Sequence, residues 1–226
     1  MATSVIIEEQ VEIPLGIRSL DDFRRWALSD GFPERGRIDF VAGKIEVDMS
    51  PEDLFCHGTL KGLIYATLFQ RTEGQDLGHL FIDSTRVSVP AAGLSVEPDI
   101  VFISHECLDS GRVRLVPKSG GEPGRYVEVE GAPDLIVEIV SDSSLTKDTQ
   151  RLPAAYAVAG VPEFWLADAR KEPVVFQIHH LIEGAYSLAP ADAEGYLRSN
   201  VLACRFRLDA GRDARGHWKF KLLDRP

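Results

Sequence analysis

Hydrophobic residues recur along the chain with two periods, one typical of helices and one typical of strands. Apolar residues at helical spacing follow Ser19, a residue type that caps helix N-termini, and predict a short amphipathic helix ending near Gly31. A second apolar stripe predicts a helix from Glu52 to about Arg71. Both helices are therefore expected to bury one face and leave the other in solvent.

Alternating and fully apolar segments predict the strands. Residues 37–50 alternate and turn at Gly43, which indicates a hairpin, whereas residues 104–132 are interpreted as an exposed loop or hairpin tip because they contain several glycines. Strands flanked by a few helices indicate a mixed α/β fold with a central sheet. The remaining predicted strands lie in segments 80–89, 99–104, 134–141, 161–168, 173–182 and 184–189.

The chain is predicted to contain one main unit. Residues 1–16 are expected to form an extended N-terminal arm, and residues 17–226 a single domain with a β-rich C-terminal extension. The N-terminus carries no basic lead, and no window approaches the roughly 20 apolar residues of a membrane helix. Cys56, Cys107 and Cys204 show neither a disulfide framework nor a zinc pattern, so a cytoplasmic protein is predicted.

Composition and charge narrow the function classes. With 44% hydrophobic and 27% charged residues, the 226-residue chain can bury one substantial core. Its 25 basic and 35 acidic residues give a net charge of −10, which opposes long-range attraction to a polyanion. Tight non-specific binding to nucleic acid is therefore not expected.

Two carboxylates fall in the most apolar segments. Glu138 interrupts the strand-like run Leu135 to Val140, and Asp99 begins the strand-like segment that precedes it in the chain. Burying an ionised carboxylate costs several kcal/mol unless a positive charge compensates it. If the two strands are neighbours, Asp99 and Glu138 could converge on a divalent cation such as magnesium, which prefers oxygen ligands.

A structural interpretation of the same residues is about equally well supported. Asp99 could cap a turn beside Pro98, while Glu138 pairs with a buried arginine or lysine. Asp134 is a further aspartate after a proline, but in a strand it would lie about 13 Å from Glu138, too far to share one metal. Asp134 is therefore interpreted as a strand-entry residue.

Several motifs resemble those of one protein family. "EPDIVFI", "GAPDLIVEIVSDSS", the pair Asp148 and Tyr156, and "AGVPEFWLAD" are similar to segments of the Uma family, which belongs to the PD-(D/E)XK restriction-endonuclease-like superfamily. "IDFVAGKIEVDMSP", followed by His57, resembles an N-terminal segment of that family in which Asp39 replaces the more usual glutamate. The resemblance runs from about residue 19 to 190. It implies a central mixed β-sheet flanked by helices.

The resemblance also implies a metal site. Asp99 and Glu138 would be the metal-binding pair for Mg²⁺ or Mn²⁺, with Asp39 and His57 as auxiliary residues. For Asp39 the alternative is an exposed hairpin residue, and for His57 a structural or surface histidine. The basic pairs Arg35 with Arg37 and Arg205 with Arg207 could contact phosphate, although charged strand faces usually meet solvent.

The catalytic lysine of the superfamily is absent from both places where the resemblance puts it. One position holds Val140, two residues after Glu138, and the other holds Leu152 on the following helix. Lys147 and Arg151 lie nearby and are the candidate cationic helpers, with solvated surface positions as the alternative. Arg151 stays protonated and is a poor general base, which favours Lys147.

The sequence therefore predicts a magnesium-dependent nuclease that hydrolyses phosphodiester bonds, most simply in DNA. The alternative is a catalytically degenerate member of the same fold that binds nucleic acid or a protein partner without cleavage. A purely structural role or a homodimeric scaffold is a third interpretation. The absent lysines and the acidic net charge favour the alternatives, whereas the retained acidic pair favours the nuclease.

Overall fold

Two large sheets and a smaller one make up most of the structure, a computed structural model that describes residues 4–7, 11–33, 36–121 and 123–226. The helices are α1 (Leu20–Ala27), α2 (Leu60–Gly74), α3 (His105–Asp109) and α4 (Leu152–Ala159). Two π-helical turns, Leu54–Thr59 and Lys147–Arg151, lead directly into α2 and α4, and a 3₁₀ turn spans Pro90–Ala92. The strands are β1 (Ser4–Ile7), β2 (Val11–Pro14), β3 (Arg37–Val41), β4 (Lys44–Asp48), β5 (Gly78–Ile82), β6 (Arg86–Val89), β7 (Leu94–Val96), β8 (Ile100–Ser104), β9 (Val113–Pro117), β10 (Tyr126–Gly131), β11 (Leu135–Ile139), β12 (Glu163–Asp168), β13 (Val175–Ile182), β14 (Ala185–Leu188), β15 (Leu197–Ser199), β16 (Cys204–Arg212) and β17 (Trp218–Arg225).

Both six-stranded sheets are mixed. The first has the order β4-β3-β7-β6-β10-β9, and the second, called here the main sheet, has the order β14-β13-β12-β11-β8-β5. In the main sheet β11 runs parallel to β12 and antiparallel to β8, because α4 makes the crossover between β11 and β12. Strands β15, β16 and β17 form a third sheet, and β1 pairs with β2.

The two faces of the main sheet are covered by different elements, which explains the apolar run in β11. Leu135 and Val137 pack in a core with α2 and with residues of the third sheet such as Phe206. Ile136 and Val140 face a second core that includes Tyr156 of α4 and residues of the first sheet. Because successive strand side chains alternate in direction, Glu138 lies on this second face.

Several sequence predictions agree with these elements. Ser19 caps α1 by accepting a hydrogen bond from the backbone N–H of Asp22, and the hairpin of β3 and β4 turns at Gly43. The helix predicted from Glu52 begins as a π-helical turn and continues as α2. Described residues of the predicted N-terminal arm form the β1–β2 pair. The organisation of residues 17–226 as one domain stays a prediction.

Two predictions were wrong. Segment 80–89 is two strands of different sheets, because the backbone turns at Asp83 and Ser84, both with positive φ. Segment 104–132 contains α3 and the β9–β10 hairpin, so only its glycine-rich tip between these strands is a loop. Charged side chains on both strands hid the β-pattern, since this hairpin is half exposed.

Among the described residues, no helix combines the length and the apolar character needed to cross a membrane.

Candidate metal centre

Asp99 and Glu138 lie next to each other on two antiparallel strands. Asp99 precedes β8 and Glu138 lies in β11, and the register that pairs Val137 with Ile100 places Glu138 opposite Asp99 as the next pair. Directly opposed residues of antiparallel strands project to the same face. Both carboxylates are buried, with 0% and 1% of their surface exposed. The strand pairing thus brings together the two carboxylates that are far apart in sequence.

Glu138 is only half satisfied. Its Oε1 accepts a 2.5 Å hydrogen bond from the Tyr156 hydroxyl of α4. Its Oε2 is buried and has no hydrogen-bond partner in the described structure. Burial raises the pKa of Glu138 well above its usual range, and the nearby charge of Asp99 raises it further. The fold therefore holds a carboxylate oxygen in the interior that no donor stabilises.

Glu163, on the adjacent strand β12, shows how the same sheet accommodates a structural glutamate. It is as buried as Glu138, yet both of its oxygens accept hydrogen bonds. The donors are the indole of Trp165 (2.7 Å), the hydroxyl of Ser199 (2.6 Å) and the backbone N–H groups of Asn200 (2.7 Å) and Val201 (3.1 Å). A buried structural carboxylate is thus fully bonded here. Glu138 departs from that pattern.

Asp134 is likewise structural, as its position at the strand entry predicts. It accepts a 2.7 Å hydrogen bond from the backbone N–H of Ser104 and forms an ion pair with Arg112. Both interactions tie β11 to the segment after β8. Asp134 therefore has no free oxygen to contribute to the Glu138 site.

A third buried carboxylate belongs to the same cluster. Asp148 is fully buried in the π-helical turn before α4, where Oδ2 accepts a hydrogen bond from the Ser144 hydroxyl. Its Oδ1 is unpartnered within the described residues. Burial raises the pKa of Asp148 to about 7, and its charge in turn raises the pKa of Glu138. Sequence reasoning used Asp148 only as a motif residue, because a helix-start aspartate usually caps the helix.

Two cations offset part of this negative charge. Arg37 Nη2 donates to Asp99 Oδ1 at 2.8 Å, and Lys147 Nζ pairs with Asp39. Arg37 and Asp39 project together because they are two residues apart on β3, and Asp39 also accepts from the backbone N–H of Glu97 at 2.9 Å. The expectations of an exposed Asp39 and a solvated Lys147 were therefore wrong.

The charges within the cluster are electrostatically linked. Burial alone would lower the pKa of Arg37, but the carboxylates of Asp99, Glu138 and Asp39 hold it well above its usual range. Burial would raise the pKa of Asp99, but Arg37 foremost among nearby cations holds it below its usual value. Within the described residues, Arg37 and Lys147 face four carboxylates, those of Asp39, Asp99, Glu138 and Asp148. The cluster can therefore accommodate additional positive charge.

His57 and Arg151 occupy different positions relative to this cluster. His57 is buried in the π-helical turn before α2, with Nε2 3.6 Å from Asp99 Oδ2. Arg151 lies at the rim with 48% of its side chain exposed, paired with Glu46 of β4 at 2.8 Å. Val140, where a lysine was sought, is an apolar core residue. Lys147 is therefore the lysine that reaches the cluster from this side.

The cluster opens to solvent through three cavities. Ser50 and Ser143 line all three, so the chain after β4 and the loop after β11 together form the mouth. A hydrogen bond from Ser143 Oγ to Asp48 Oδ2 (2.8 Å) joins these two segments. Lys147 lines one cavity and Arg37 another, so an anion entering from solvent can contact both cations.

The fold and this cluster define a restriction-endonuclease-like α/β protein. A crystal structure of a protein from Anabaena variabilis ATCC 29413, described as "a putative nuclease belonging to DUF820", superposes with a TM-score of 0.58 at 16% sequence identity. The match covers 82% of this chain and 90% of that one. It confirms the predicted fold class.

Residues 20–211 match the Uma2 family, described as "Putative restriction endonuclease", and the chain belongs to this family. The resemblance seen in the sequence motifs is thereby confirmed, and the matched range extends beyond residue 190 at the C-terminal end. No curated protein sequence matches the chain. The family is of the restriction-endonuclease-like type, whose members are generally metal-dependent.

Arg37 and Lys61 are the residues of the site that sequence reasoning missed. Arg37 was noted only as one of two basic residues, and Arg35 of that pair lies outside the described residues. Lys61 Nζ lies 3.7 Å from Asp99 Oδ1 although it belongs to α2. A signal was present in the sequence, since Arg37 and Asp39 share one strand face and Lys61 follows His57 by one helical turn.

Replacing Asp148 with asparagine is expected to increase stability in a pH-dependent way. The folded-state pKa of about 7 exceeds the usual 3.8, so the folded protein binds the proton more tightly than the unfolded chain. The wild-type free energy of unfolding therefore falls as pH rises from about 4 to 7. The advantage of Asp148→Asn should be small at pH 4, grow up to pH 7 and stay constant above it, as urea unfolding in EDTA would show. An equal difference at pH 4.5 and pH 8 would contradict a raised pKa.

Proposed function

We propose that the chain is a nuclease that hydrolyses phosphodiester bonds with the help of a divalent metal, Mg²⁺ or Mn²⁺, held by Asp99 and Glu138. The observation that carries the proposal is the unpartnered, buried Oε2 of Glu138 opposite Asp99. Carboxylate oxygens are the ligands that these cations prefer. The contrast with the fully bonded Glu163 supports a ligand role for Glu138 over a structural one.

The donor set fits such a metal. The hard oxygen atoms of two carboxylates face one another, and the surrounding cluster has more negative than positive groups. A divalent metal bound there supplies Lewis-acid stabilisation of charge on a phosphodiester and makes water a better nucleophile. Tyr156 orients the Glu138 carboxylate by donating to Oε1, which leaves Oε2 free.

The cations of the cluster have separate proposed roles. Arg37 reaches a cavity at the mouth and presents a planar guanidinium, which suits a phosphate oxygen. Lys147 Nζ pairs with Asp39, and burial, which by itself lowers the pKa of Lys147, is outweighed by this carboxylate so that the pKa is raised. Lys147 therefore stays protonated and acts as a hydrogen-bond donor to phosphate or water. Arg151 contacts substrate only at the rim.

DNA is the proposed substrate class, because the family is described in terms of restriction endonucleases. Incubation of the purified protein with supercoiled plasmid and with single-stranded DNA, in Mg²⁺, Mn²⁺ or EDTA, tests the proposal. Cleavage is expected with either metal and none with EDTA. The matched control is Asp99→Asn, and cleavage that survives in this variant would sink the proposed site, because a contaminating nuclease or another centre would then be responsible.

A second candidate function rests on Val140. This buried valine occupies the position of the superfamily's catalytic lysine, which favours a catalytically degenerate protein that binds nucleic acid or a protein partner without cleavage. Under that function, metal still stabilises the wild type but not Asp99→Asn, and the plasmid remains intact in both. The same two preparations therefore distinguish the functions.

Replacing Tyr156 with phenylalanine is expected to weaken metal binding without abolishing it. The substitution removes the hydroxyl that holds Glu138, at constant ring shape in a buried site. Loss of a residue that orients a ligand typically lowers metal affinity about 10- to 100-fold. Titration calorimetry with Mn²⁺ would measure the change. Tyr186→Phe is the control, since Tyr186 Oη donates to the carbonyl of Val161, away from the cluster. Equal Mn²⁺ affinities in wild type and Tyr156→Phe would remove Tyr156 from the site.

A further inference from the structure

A second set of potential ligand atoms meets at Asp99. One donor atom from each of Glu52, His57 and Asp99 lies within 4.8 Å of the other two. His57 stands between the carboxylates, with Nδ1 3.2 Å from Glu52 Oε2 and Nε2 3.6 Å from Asp99 Oδ2. Glu138 is not a member of this set. The set brings an imidazole beside oxygen ligands, which the Asp99–Glu138 pair does not.

His57 is held in place but lacks a hydrogen bond. Only 3% of its surface is exposed, and Nδ1 has no hydrogen-bond partner among the described residues, because the Glu52 oxygen lies near it but out of line. Asp53 fixes the π-helical turn by accepting from the backbone N–H groups of Phe55 (2.9 Å) and Cys56 (2.6 Å). A buried imidazole without a partner is costly unless a ligand binds it. The ring is thus preorganised for a ligand.

The local charge leaves room for a cation. Lys61 Nζ bonds both oxygens of Glu52, at 2.9 and 3.0 Å, and Asp83 at 2.6 Å, and it lies 3.7 Å from Asp99. Lys61 is one positive charge shared by three carboxylates. Each carboxylate oxygen can accept more than one bond, so a metal can bind Glu52 and Asp99 beside the lysine.

We propose that Glu52, His57 and Asp99 bind a second divalent cation, and that this cation is a transition metal. Imidazole ligands favour first-row transition metals over magnesium, which prefers oxygen. The inference rests on the proposed function only in that Asp99 serves both cations. The two centres differ in selectivity, since the Asp99–Glu138 pair accepts Mg²⁺ and the histidine centre retains a transition metal in its presence.

Counting bound Mn²⁺ by electron paramagnetic resonance on the full chain tests this assignment. The wild type should bind two Mn²⁺ per chain, of which excess Mg²⁺ displaces one. His57→Gln should bind one, and that one should be displaced by Mg²⁺. Glu138→Gln should also bind one, which resists Mg²⁺. The matched control is His105→Gln, because His105 forms an exposed pair with Asp76 (3.1 Å) outside the site and its loss should leave two.

The outcomes separate this inference from the proposed function. One Mn²⁺ in wild type that persists in His57→Gln and is lost in Glu138→Gln overturns the second centre and leaves the proposed function standing. One Mn²⁺ that is lost in His57→Gln and persists in Glu138→Gln supports the histidine centre and overturns the ligand role of Glu138. If two ions persist in His57→Gln, the assignment is wrong.

Glu52→Gln provides a second variant in case the buried His57 is needed for folding. The Glu52 side chain is 47% exposed, so this change should leave the fold intact. It should reduce the count from two Mn²⁺ to one, as His57→Gln does. Two ions in a folded Glu52→Gln protein would overturn the assignment independently of His57.

Discussion

Glu138→Gln is expected to stabilise the metal-free protein and to remove its stabilisation by metal. The pKa of Glu138 is raised in the folded state, so at pH 8 folding must either take up a proton or bury a charge, and both oppose folding. Glutamine removes this cost and its carbonyl oxygen can still accept from Tyr156. A gain of about 1–4 kcal/mol is expected at pH 8 in EDTA, the range for neutralising a poorly compensated buried charge.

The metal dependence should change in the opposite sense. At a concentration of 100 times the dissociation constant, a metal that binds only the folded state stabilises it by about 2.7 kcal/mol. The wild type should show a shift of this order in urea unfolding with Mn²⁺. Glu138→Gln should lose the part of that shift that Mg²⁺ also produces.

Glu163→Gln is the matched control for this experiment. It makes the same chemical change on the neighbouring strand, at a carboxylate that accepts four hydrogen bonds. An amide NH₂ there would face donors, so Glu163→Gln should destabilise the protein and leave the Mg²⁺ shift unchanged. If Glu138→Gln destabilises metal-free protein as much as Glu163→Gln does, Glu138 is a structural carboxylate.

Arg37→Met is expected to destabilise the metal-free protein by about 3–5 kcal/mol, the typical cost of removing one partner of a buried ion pair. The loss leaves Asp99 without its 2.8 Å hydrogen bond, and Glu138 and Asp39 without a nearby positive charge. Because the remaining negative charge is then less compensated, divalent metal should stabilise Arg37→Met more than it stabilises wild type. Urea unfolding with and without Mg²⁺ measures both effects.

Arg25→Met is the control, since the Arg25 side chain is 72% exposed and pairs with Asp22 on the surface of α1. Exposed pairs contribute about 0–1 kcal/mol, so this variant should unfold close to the wild type. A loss at Arg37 no larger than that at Arg25 would show that the cluster does not depend on an internal cation.

The strands of the main sheet were predictable because burial on both faces produces continuous apolar runs. Those runs also exposed Glu138 as an anomaly and placed Asp99 at the start of a strand. The pairing of β8 with β11 could not be read from the sequence, since register is a tertiary property. It had to be inferred from the family resemblance.

The cationic half of the cluster was less predictable. Lys147 and Asp39 looked like solvent-facing residues because each lies in a polar segment, yet they bury each other as a pair. Arg37 comes from the first sheet and meets Asp99 of the main sheet. Contacts between separate sheets leave no local pattern, whereas the periodicity of a strand or helix does.

The most direct test of the account is the rate of plasmid nicking in Mg²⁺ by Glu138→Gln, measured beside wild type and folded Glu163→Gln. The account predicts that wild type and Glu163→Gln nick the plasmid, and that Glu138→Gln loses about 10²-fold or more of the rate, as expected when a group that stabilises the transition state is removed. Nicking by Glu138→Gln at the wild-type rate would contradict the claim that the buried Asp99–Glu138 pair is the metal centre of a nuclease.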